Sequence, residues 1–439
     1  MRTLIAVSCT LIACGPPARP EGDDNGGVDA ATSAVVTGKV YAPNQGPGQA
    51  APGQEIPISG ALVYVTTTVP EPIPDHVYCE ACVATPETGV LSAPDGSFTL
   101  AVPPGNYTLV IQKGQYRIDQ PVSLALGTLA LPANQTTLPS QWKPEAGLYM
   151  PKIAMAQGTN DQIEDILGKL GVGTLAGNTF ASPQGENGPE LKIYDYFGTG
   201  PGTVTFLLKN IAEMRKYHII FFPCAVSMFD LDALLKNQTV LANVRRYVNE
   251  GGKLYVTDWS GELADRAFPK QIQLGGAGHD SDGTYNPTTF TGTLTKVGDA
   301  DGDYYDLYDG KVVDPDLHAW LGTQFGPIQM DAPAMYNPDQ FKVTDLFNFI
   351  PKTNAVQIGT DMDGMPVYDT PKVWVTGTDP DNGMGALPIA VTYQPTGCGK
   401  ELYTPFQTAN DEHAGLYPQE RVLLYLIMEI QTCSDNPIL

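Results

Sequence analysis

The chain has 439 residues, of which 42% are hydrophobic and 17% are charged, a composition typical of a globular protein of two or three domains. Its formal net charge of −23 argues against binding to nucleic acid and against direct adsorption to anionic lipid. No segment beyond the amino terminus is apolar for long enough to cross a bilayer. The 46 glycines and 38 prolines predict many turns and loops.

The first fourteen residues predict export. Arg2 provides a basic start, and residues 4–13 form an apolar run that is too short to span a membrane, which favours a signal peptide. The run ends in Leu11-Ile12-Ala13-Cys14, which resembles the lipobox of bacterial lipoproteins. The resemblance implies that Cys14 is lipidated and anchors the mature chain, with an ordinary signal peptide as the alternative. Gly15 follows in place of the Asp that retains many lipoproteins in the inner membrane, so we expect an outer-membrane lipoprotein facing the periplasm or the cell surface.

Residues 15–34 are rich in Gly, Pro, Asp and Ala, which predicts a flexible tether. From residue 35 to about 140, short alternating apolar segments are separated by Gly and Pro. The clearest of them are residues 36–41, 61–65, 97–102 and 106–111. Short strands at regular spacing with turn signals between them predict an antiparallel β-sandwich.

Three motifs in this region follow one another in a recognisable order. They are V-x-G-x-V at 36–40, P-I-x-G-A-x-V at 57–63 and D-G-x-F-x-L-x-V-P-x-G-x-Y-x-L at 95–109. Their order resembles that of carboxypeptidase-regulatory-like (transthyretin-like) domains. The resemblance implies a β-sandwich that acts as a spacer or a binding module, and it implies no catalysis.

Cysteine pairing is expected because an exported chain meets oxidising conditions. Cys79 and Cys82 form an isolated C-x-x-C, which favours a local disulfide over a zinc or redox site. Cys398 and Cys433 are the second candidate pair, which leaves Cys224 as a buried thiol. Sequence alone leaves the connectivity open.

From residue 150 onward, strands and helices alternate. Apolar strands at 152–156, 218–222 and 253–257 are separated by a helix that starts at Asn160 and by a second helix from about 230 to 249. This order predicts a parallel sheet of the Rossmann or flavodoxin type. The whole chain is then a multidomain α+β protein, with an N-terminal antiparallel β-sandwich followed by an α/β domain over residues 150–439. Further strands near 389–393 and 402–404 and a helix over 418–430 complete it.

Four segments of this second domain carry a further resemblance: residues 153–159, 222–224, 246–254 and 416–423. They are similar to class I glutamine amidotransferase-like domains, and more closely to exported proteins of myxobacteria in which a regulatory-like sandwich precedes such a domain. Amidotransferases hold a nucleophilic cysteine in a G-x-C-x-G turn after the third strand. Here the turn reads Thr257-Asp258-Trp259-Ser260-Gly261, with Trp259 at the central position. The resemblance therefore implies a pseudoenzyme without the usual nucleophile.

Three other residues are the candidates for any remaining catalysis. Cys224 ends a strand, Ser260 lies one position beyond the centre of the turn, and His413 lies where the family places its histidine. The more ordinary interpretation is that Cys224 is a small buried residue and that His413 is a polar surface residue. None of the five histidines shows a metal-ligand spacing.

The strand–helix rhythm lapses between about residues 262 and 388, where the chain is rich in Asp, Gly and Tyr. We expect a β-rich insertion of loops and strands over the open end of the sheet. Within it, Asp299, Asp301, Asp303 and Asp306 alternate on a tight turn, as the oxygen ligands of a Ca²⁺ ion would. Tyr304 stands where an EF-hand needs glycine, so the motif is not an EF-hand. The alternative is a solvated acidic hairpin, and the sequence suggests no cofactor other than calcium.

Together these patterns predict a cell-envelope lipoprotein with a non-catalytic binding or structural role. Its expected partners are the membrane, through the lipid anchor, and an envelope protein or glycan. The first alternative is a hydrolase of an envelope or extracellular substrate that uses Cys224 or Ser260 with His413. The second alternative is a Ca²⁺-dependent adhesion module.

Overall fold

The structure is a computed structural model. It describes residues 33–80, 85–157, 161–181, 190–224, 234, 236–273, 308–329, 331–344, 350, 352–361, 363–378, 386–409 and 412–430. Over these residues the fold is mixed α/β, with more strands than helices and several separate sheets. No helix in this part of the chain has the length and apolar character needed to span a membrane.

The helices of the described residues are α1 (Ile163–Lys169), α2 (Val204–Lys209), α3 (Ile211–Met214), α4 (Gln238–Asn249), α5 (Gly261–Ala267), α6 (Pro315–Leu321) and α7 (Pro418–Ile430). The strands are β1 (Ala34–Lys39), β2 (Leu62–Thr66), β3 (Gly89–Leu91), β4 (Ser97–Val102), β5 (Gly105–Lys113), β6 (Tyr116–Leu124), β7 (Gly127–Ala130), β8 (Leu148–Tyr149), β9 (Ile153–Ala156), β10 (Leu175–Ala176), β11 (Thr179–Phe180), β12 (Leu191–Tyr194), β13 (Ile219–Phe222), β14 (Lys253–Thr257), β15 (Ile272–Gln273), β16 (Tyr308–Val312), β17 (Phe325–Ile328), β18 (Asp331–Met335), β19 (Phe341–Val343), β20 (Lys352–Thr353), β21 (Val356–Thr360), β22 (Pro366–Asp369), β23 (Lys372–Thr378), β24 (Leu387–Tyr393) and β25 (Lys400–Thr404).

Strands β1 to β8 form two sheets. One has the order β4-β1-β7 and the other has the order β3-β2-β5-β6-β8. Neighbouring strands are antiparallel except for β1 and β7, which are parallel. Side chains along β4 point alternately to the two faces of the sheet, so Phe98, Leu100 and Val102 are buried while Thr99 and Ala101 are exposed. Buried residues of both sheets belong to one hydrophobic core.

A nine-stranded sheet has the order β12-β9-β13-β14-β25-β24-β23-β16-β19. The first five of these strands are parallel, and the remaining pairs are antiparallel. Strand β13 is buried at every position, which accounts for its uninterrupted apolar sequence. Ile219 and Phe221 pack in the core that contains residues of α1 and α7, whereas Ile220 and Phe222 pack in the core that contains residues of α2, α4 and α5. Helices therefore cover both faces.

The helix predictions agree with the structure in part. Helix α7 has the predicted bounds. Helix α4 begins at Gln238 because the side chain of Asn237 accepts hydrogen bonds from the backbone N–H groups of Thr239 and Val240. Helix α1 begins at Ile163, and the predicted cap, Asn160, lies outside the described residues.

The expectation that residues 262–388 lie over the open end of the sheet is wrong for three of their strands. Strands β16, β19 and β23 continue the nine-stranded sheet beyond β24. Their backbone groups pair within the sheet, where β23 lies antiparallel to both β24 and β16. Local patterning cannot show this arrangement, because the partner of a strand is set by contacts distant in sequence.

Both predicted cysteine pairs are wrong. Cys79 is bonded to Cys398, and their Cα atoms are 5.5 Å apart. The loop that carries Cys79 lies against the end of α4, where Gly251 lets the backbone approach: a Cβ atom at residue 251 would lie 2.0 Å from the carbonyl oxygen of Tyr78. This approach brings Cys79 to the segment before β25, away from a local partner. Cys82 and Cys433 lie outside the described residues.

His218 holds the loop that carries Cys79 against the nine-stranded sheet through hydrogen bonds. Its Nδ1 accepts a hydrogen bond from the backbone N–H of Lys152 and its Nε2 donates to the carbonyl oxygen of Pro74, each at 2.8 Å. These two bonds require the neutral imidazole with its proton on Nε2. Burial lowers the pKa of His218 to about 4, and the bond to Pro74 opposes that shift only in part.

We expect acid to weaken the protein through His218. An unfolded histidine has a pKa of about 6.5, so the unfolded chain binds more protons than the folded chain as the pH falls from 6.5 to 4. The contribution of His218 to the free energy of unfolding is complete above pH 6.5 and is lost at pH 4. The loss amounts to about 3 kcal/mol. Urea unfolding at pH 7, 5.5 and 4 measures it. The His218→Gln variant should show a smaller loss across that range, and an equal loss in both proteins would contradict the assignment.

Candidate functional site

The carboxyl ends of the parallel strands meet at one edge of the nine-stranded sheet, where open α/β sheets hold their ligands. The segments that follow β9, β13, β14 and β25 place buried polar side chains there. We call these residues the strand-end cluster: Asp161, Cys224, Thr257, Asp258, Gln407 and Thr408. Each is at most 1% exposed to solvent.

Asp258 is the acceptor for one half of the strand-end cluster. Its Oδ2 accepts a hydrogen bond from the thiol of Cys224 at 3.1 Å and another from Nε2 of Gln407 at 2.9 Å. The side chain of Gln419 on α7 in turn donates to the backbone carbonyl of Gln407 at 2.8 Å. Segments after three different strands, β13, β14 and β25, are thereby held together by one carboxylate.

Asp161 is the acceptor for the other half. Its Oδ1 accepts from the hydroxyl and the backbone N–H of Thr408, at 2.8 and 3.2 Å. Its Oδ2 accepts from the hydroxyl of Thr257 at 2.5 Å, and the oxygen of that hydroxyl accepts from the backbone N–H of Cys224 at 3.0 Å. Buried carboxylates are stabilised by such bonds, because each N–H or O–H group replaces part of the lost hydration.

The turn after β14 holds Asp258 in an unusual conformation. Its φ is +45°, in the left-handed region that non-glycine residues seldom adopt. Holding a non-glycine residue in this conformation costs about 1–3 kcal/mol of stability. A 3₁₀ turn over Asp258–Ser260 follows and leads into α5. Strained strand-to-helix turns are where nucleophile elbows hold their reactive residue. The strained residue is Asp258. It lies one position before Trp259, which occupies the place of the nucleophile in the amidotransferase resemblance.

The three candidate catalytic residues are not assembled into one catalytic group. The hydroxyl of Ser260 is buried and donates to the carbonyl oxygen of Pro223 at 2.8 Å. His413 places Nε2 2.8 Å from a carboxylate oxygen of Glu420 and stacks on the ring of Tyr417 at a centroid distance of 3.8 Å. Over the described part of the chain, no hydrogen bond joins His413 to Cys224 or Ser260.

Two helices next to the cluster carry further buried acids. On α5, Glu262 and Arg266 form an ion pair at 3.1 Å in which both side chains are fully buried. On α1, burial raises the pKa of Glu164 to about 8, with Asp161 and Asp165 adding to the shift. Glu164 is therefore mostly protonated at neutral pH, and the negative charge at this edge of the sheet is smaller than the count of carboxyl groups indicates.

The calcium prediction falls largely outside the described residues, which exclude Asp299, Asp301, Asp303 and Asp306. Asp309, close to them in sequence, accepts hydrogen bonds from Lys342 at 2.7 Å and Gln340 at 3.0 Å. In the part of the chain that the structure describes, no group of three or more His, Cys, Asp or Glu residues could hold a metal ion. The four-aspartate site stays a prediction.

The chain matches no protein-family model and no curated protein. Three solved structures share 9–12% identity with it. The first is a GH42 β-galactosidase, Gan42B, from G. stearothermophilus, with a TM-score of 0.26 over 66% of this chain, and the chain spans about a third (32%) of that enzyme. The second is a ThuA-like protein from Bacteroides uniformis, with a TM-score of 0.28 over 63% of this chain and 88% of that one. The third is a cytoplasmic protein from Salmonella typhimurium, with a TM-score of 0.31 over 63% of this chain and 98% of that one. Similarities this distant support no inference about function.

Proposed function

We propose that the chain is a cell-envelope lipoprotein with a non-catalytic binding or structural role. In this proposal Cys14 carries the lipid and residues 15–34 form the tether. Residues 35–140 are a carboxypeptidase-regulatory-like β-sandwich, and residues 150–439 are a Rossmann-type, amidotransferase-like domain. The lipid anchor holds the chain at the outer membrane, and the two folded parts bind an envelope protein or glycan.

The non-catalytic part of the proposal rests on one observation, the burial and hydrogen bonding of Asp258. A covalent nucleophile must be reachable by its substrate and must lie beside a base that takes its proton. Asp258 occupies the strained turn but is fully buried, and it accepts hydrogen bonds from Cys224 and Gln407. An adjacent carboxylate disfavours the thiolate form of a cysteine, whereas reactive cysteines need positive surroundings. The pair therefore supports a structural use of this turn.

Chemical labelling tests the non-catalytic part. We expect iodoacetamide to leave Cys224 unmodified in the folded full-length chain and to alkylate it after unfolding in urea. A fluorophosphonate probe should likewise leave Ser260 unmodified, since its hydroxyl is buried and hydrogen-bonded. Peptide mass spectrometry separates Cys224 from the other thiols. Rapid modification of Cys224 or Ser260 in the folded chain would contradict the proposal.

A hydrolase is the second candidate, and one observation favours it. Backbone strain concentrates at active sites, and Asp258 has a positive φ at a strand–helix turn. Such an enzyme would need a base near the turn, whereas His413 is paired with Glu420. The labelling experiment decides between the two candidates, because an enzyme that uses Cys224 or Ser260 must expose that residue.

The anchor has its own test. Cys14→Ser should abolish lipidation, so that the protein moves from the membrane fraction to the soluble fraction and its mass lacks the acyl chains. Cys9→Ser is the matched control, because it changes a cysteine of the same segment that lies outside the lipobox and should leave the protein on the membrane. Continued membrane retention of the Cys14→Ser variant would disprove the anchor.

A further inference from the structure

A groove on the amino-terminal sheets is rich in amide side chains. It has a volume of about 360 Å³, and its lining includes Asn44, Gln49, Gln120, Asn134, Gln135 and Gln141. We call it the amide groove. Its lining also includes Ile118, Leu138 and Pro139, which are buried and form an apolar floor, whereas most of the amides are exposed at its sides. A concave site with an apolar floor and a few polar groups is the usual form of a small-molecule binding site.

The amide groove carries almost no charge, although the chain as a whole has a net charge of −23. Asp119 is the charged residue of its lining, and its Oδ2 accepts a hydrogen bond from Arg117 at 2.8 Å. Each amide side chain offers two donor hydrogens and an acceptor oxygen. Within the described residues, the side chains of Asn134 and Gln141 make no hydrogen bond, so both amides remain available to a ligand.

Neighbouring contacts orient two of the other amides. Gln120 donates from Nε2 to the carbonyl oxygen of Gln135 at 2.8 Å, and the Oε1 of Gln49 accepts from the backbone N–H of Gly46 at 3.2 Å. Among the described residues, the other polar atom of each of these two side chains makes no hydrogen bond and is available to a ligand. Part of the groove is therefore ordered before a ligand arrives, which lowers the entropic cost of binding.

Strand β6 borders the amide groove, and its outer edge is unsuited to adding a peptide strand. Asp119 donates its backbone N–H away from β5, to the carbonyl oxygen of Gly147 at 2.8 Å. The next position with the same outward direction is Pro121, which has no N–H. A proline at this position blocks the backbone ladder that strand addition requires. Binding by addition of a strand to β6 is therefore disfavoured, and the amide side chains are the polar groups on which we base recognition in the groove.

We propose that the amide groove binds a neutral oligosaccharide. Sugar hydroxyls both donate and accept hydrogen bonds, which matches the amides, and the C–H faces of the sugar rings pack on the apolar floor. The lack of an uncompensated positive charge in the groove and the negative charge of the chain disfavour phosphorylated or uronic-acid glycans. This proposal rests on the proposed binding role and names the class of ligand and the place where it binds.

Titration calorimetry with the full chain tests it, using maltohexaose, cellohexaose and tetra-N-acetylchitotetraose as neutral probes and a hexauronate as the anionic probe. We expect at least one neutral probe to bind, and the double variant Asn134→Ala with Gln141→Ala to bind it about tenfold more weakly. Both residues are exposed, so the fold should persist, which circular dichroism checks. Gln357→Ala, which removes an exposed amide on the separate β21–β22 hairpin, is the matched control and should bind as the unchanged chain does.

Three results would overturn the groove assignment: no neutral probe binds, the double variant binds as tightly as the unchanged chain, or the hexauronate or an extended decapeptide binds more tightly than every neutral probe. These results can be distinguished from results that contradict the non-catalytic role. If sugar binding fails while Cys224 and Ser260 stay unlabelled in the folded chain, only the groove assignment falls. If either residue is labelled in the folded chain, the non-catalytic role falls whatever the calorimetry shows.

Discussion

Replacing Cys79 with serine is expected to lower the free energy of unfolding by roughly 3–5 kcal/mol. The bond between Cys79 and Cys398 joins residues that are 319 positions apart, so it closes a very long loop in the unfolded chain. Its removal returns that conformational freedom to the unfolded state. In the folded state it also frees the loop that His218 and Gly251 hold against the sheet. Urea unfolding of the oxidised proteins measures the difference.

Matched cysteine variants make the result specific. Cys398→Ser should reproduce the loss, because either substitution removes the same bond. Cys82→Ser should change the free energy of unfolding by less than about 0.5 kcal/mol, since the partner of Cys79 lies elsewhere. A loss for Cys82→Ser as large as that for Cys79→Ser would favour the local pair that the C-x-x-C spacing predicted.

The sequence predicted best the elements whose signal is local. Strand β13 is apolar at every position, and α7 has apolar residues at helical spacing, so each indicates its own conformation without reference to the rest of the chain. The pairing of Cys79 was not predictable in this way. It depends on the approach of Tyr78 to Gly251, which lie far apart in sequence. The position of β16 and β23 within the nine-stranded sheet was not predictable for the same reason.

The strand-end cluster shows the same limit. Cys224 was identified because it directly follows an apolar strand, and the rule that residues after parallel strands meet at one edge would also have indicated Asp161 and Asp258. Gln407 and Thr408 carry no local signal, since Thr408 meets Asp161 across 247 positions of sequence. His413 was grouped with Cys224 and Ser260 through a family resemblance, and the structure instead pairs it with Glu420.

The second large effect is expected at Arg421, which joins α7 to two other parts of the fold. Its guanidinium is buried and donates hydrogen bonds to Oε1 of Gln324 at 2.7 Å, to the backbone carbonyl of Phe325 at 2.9 Å and to that of Gln54 at 3.0 Å. Gln54 lies before β2, so this side chain links the amino-terminal part of the chain to the carboxyl-terminal helix. Arg421→Met keeps a long apolar side chain but leaves one buried acceptor, on Gln324, and two partly buried acceptors, on Phe325 and Gln54, without their donor. Because each unsatisfied acceptor costs about 1–3 kcal/mol, we expect the free energy of unfolding to fall by about 4 kcal/mol.

Arg246→Met is the matched control for the loss of a guanidinium. Arg246 is mostly exposed and pairs at 3.0 Å with Glu250, the C-cap residue of its helix, so its removal should cost less than about 1 kcal/mol of stability. Arg421→Lys separates charge from geometry, because lysine keeps the positive charge but lacks the planar fork that reaches three oxygens at once. We expect it to recover only part of the loss in urea unfolding. If Arg421→Met cost no more than Arg246→Met, the buried guanidinium would not be what holds α7 to the amino-terminal part of the chain, and the apolar contacts of that helix would have to hold it there alone.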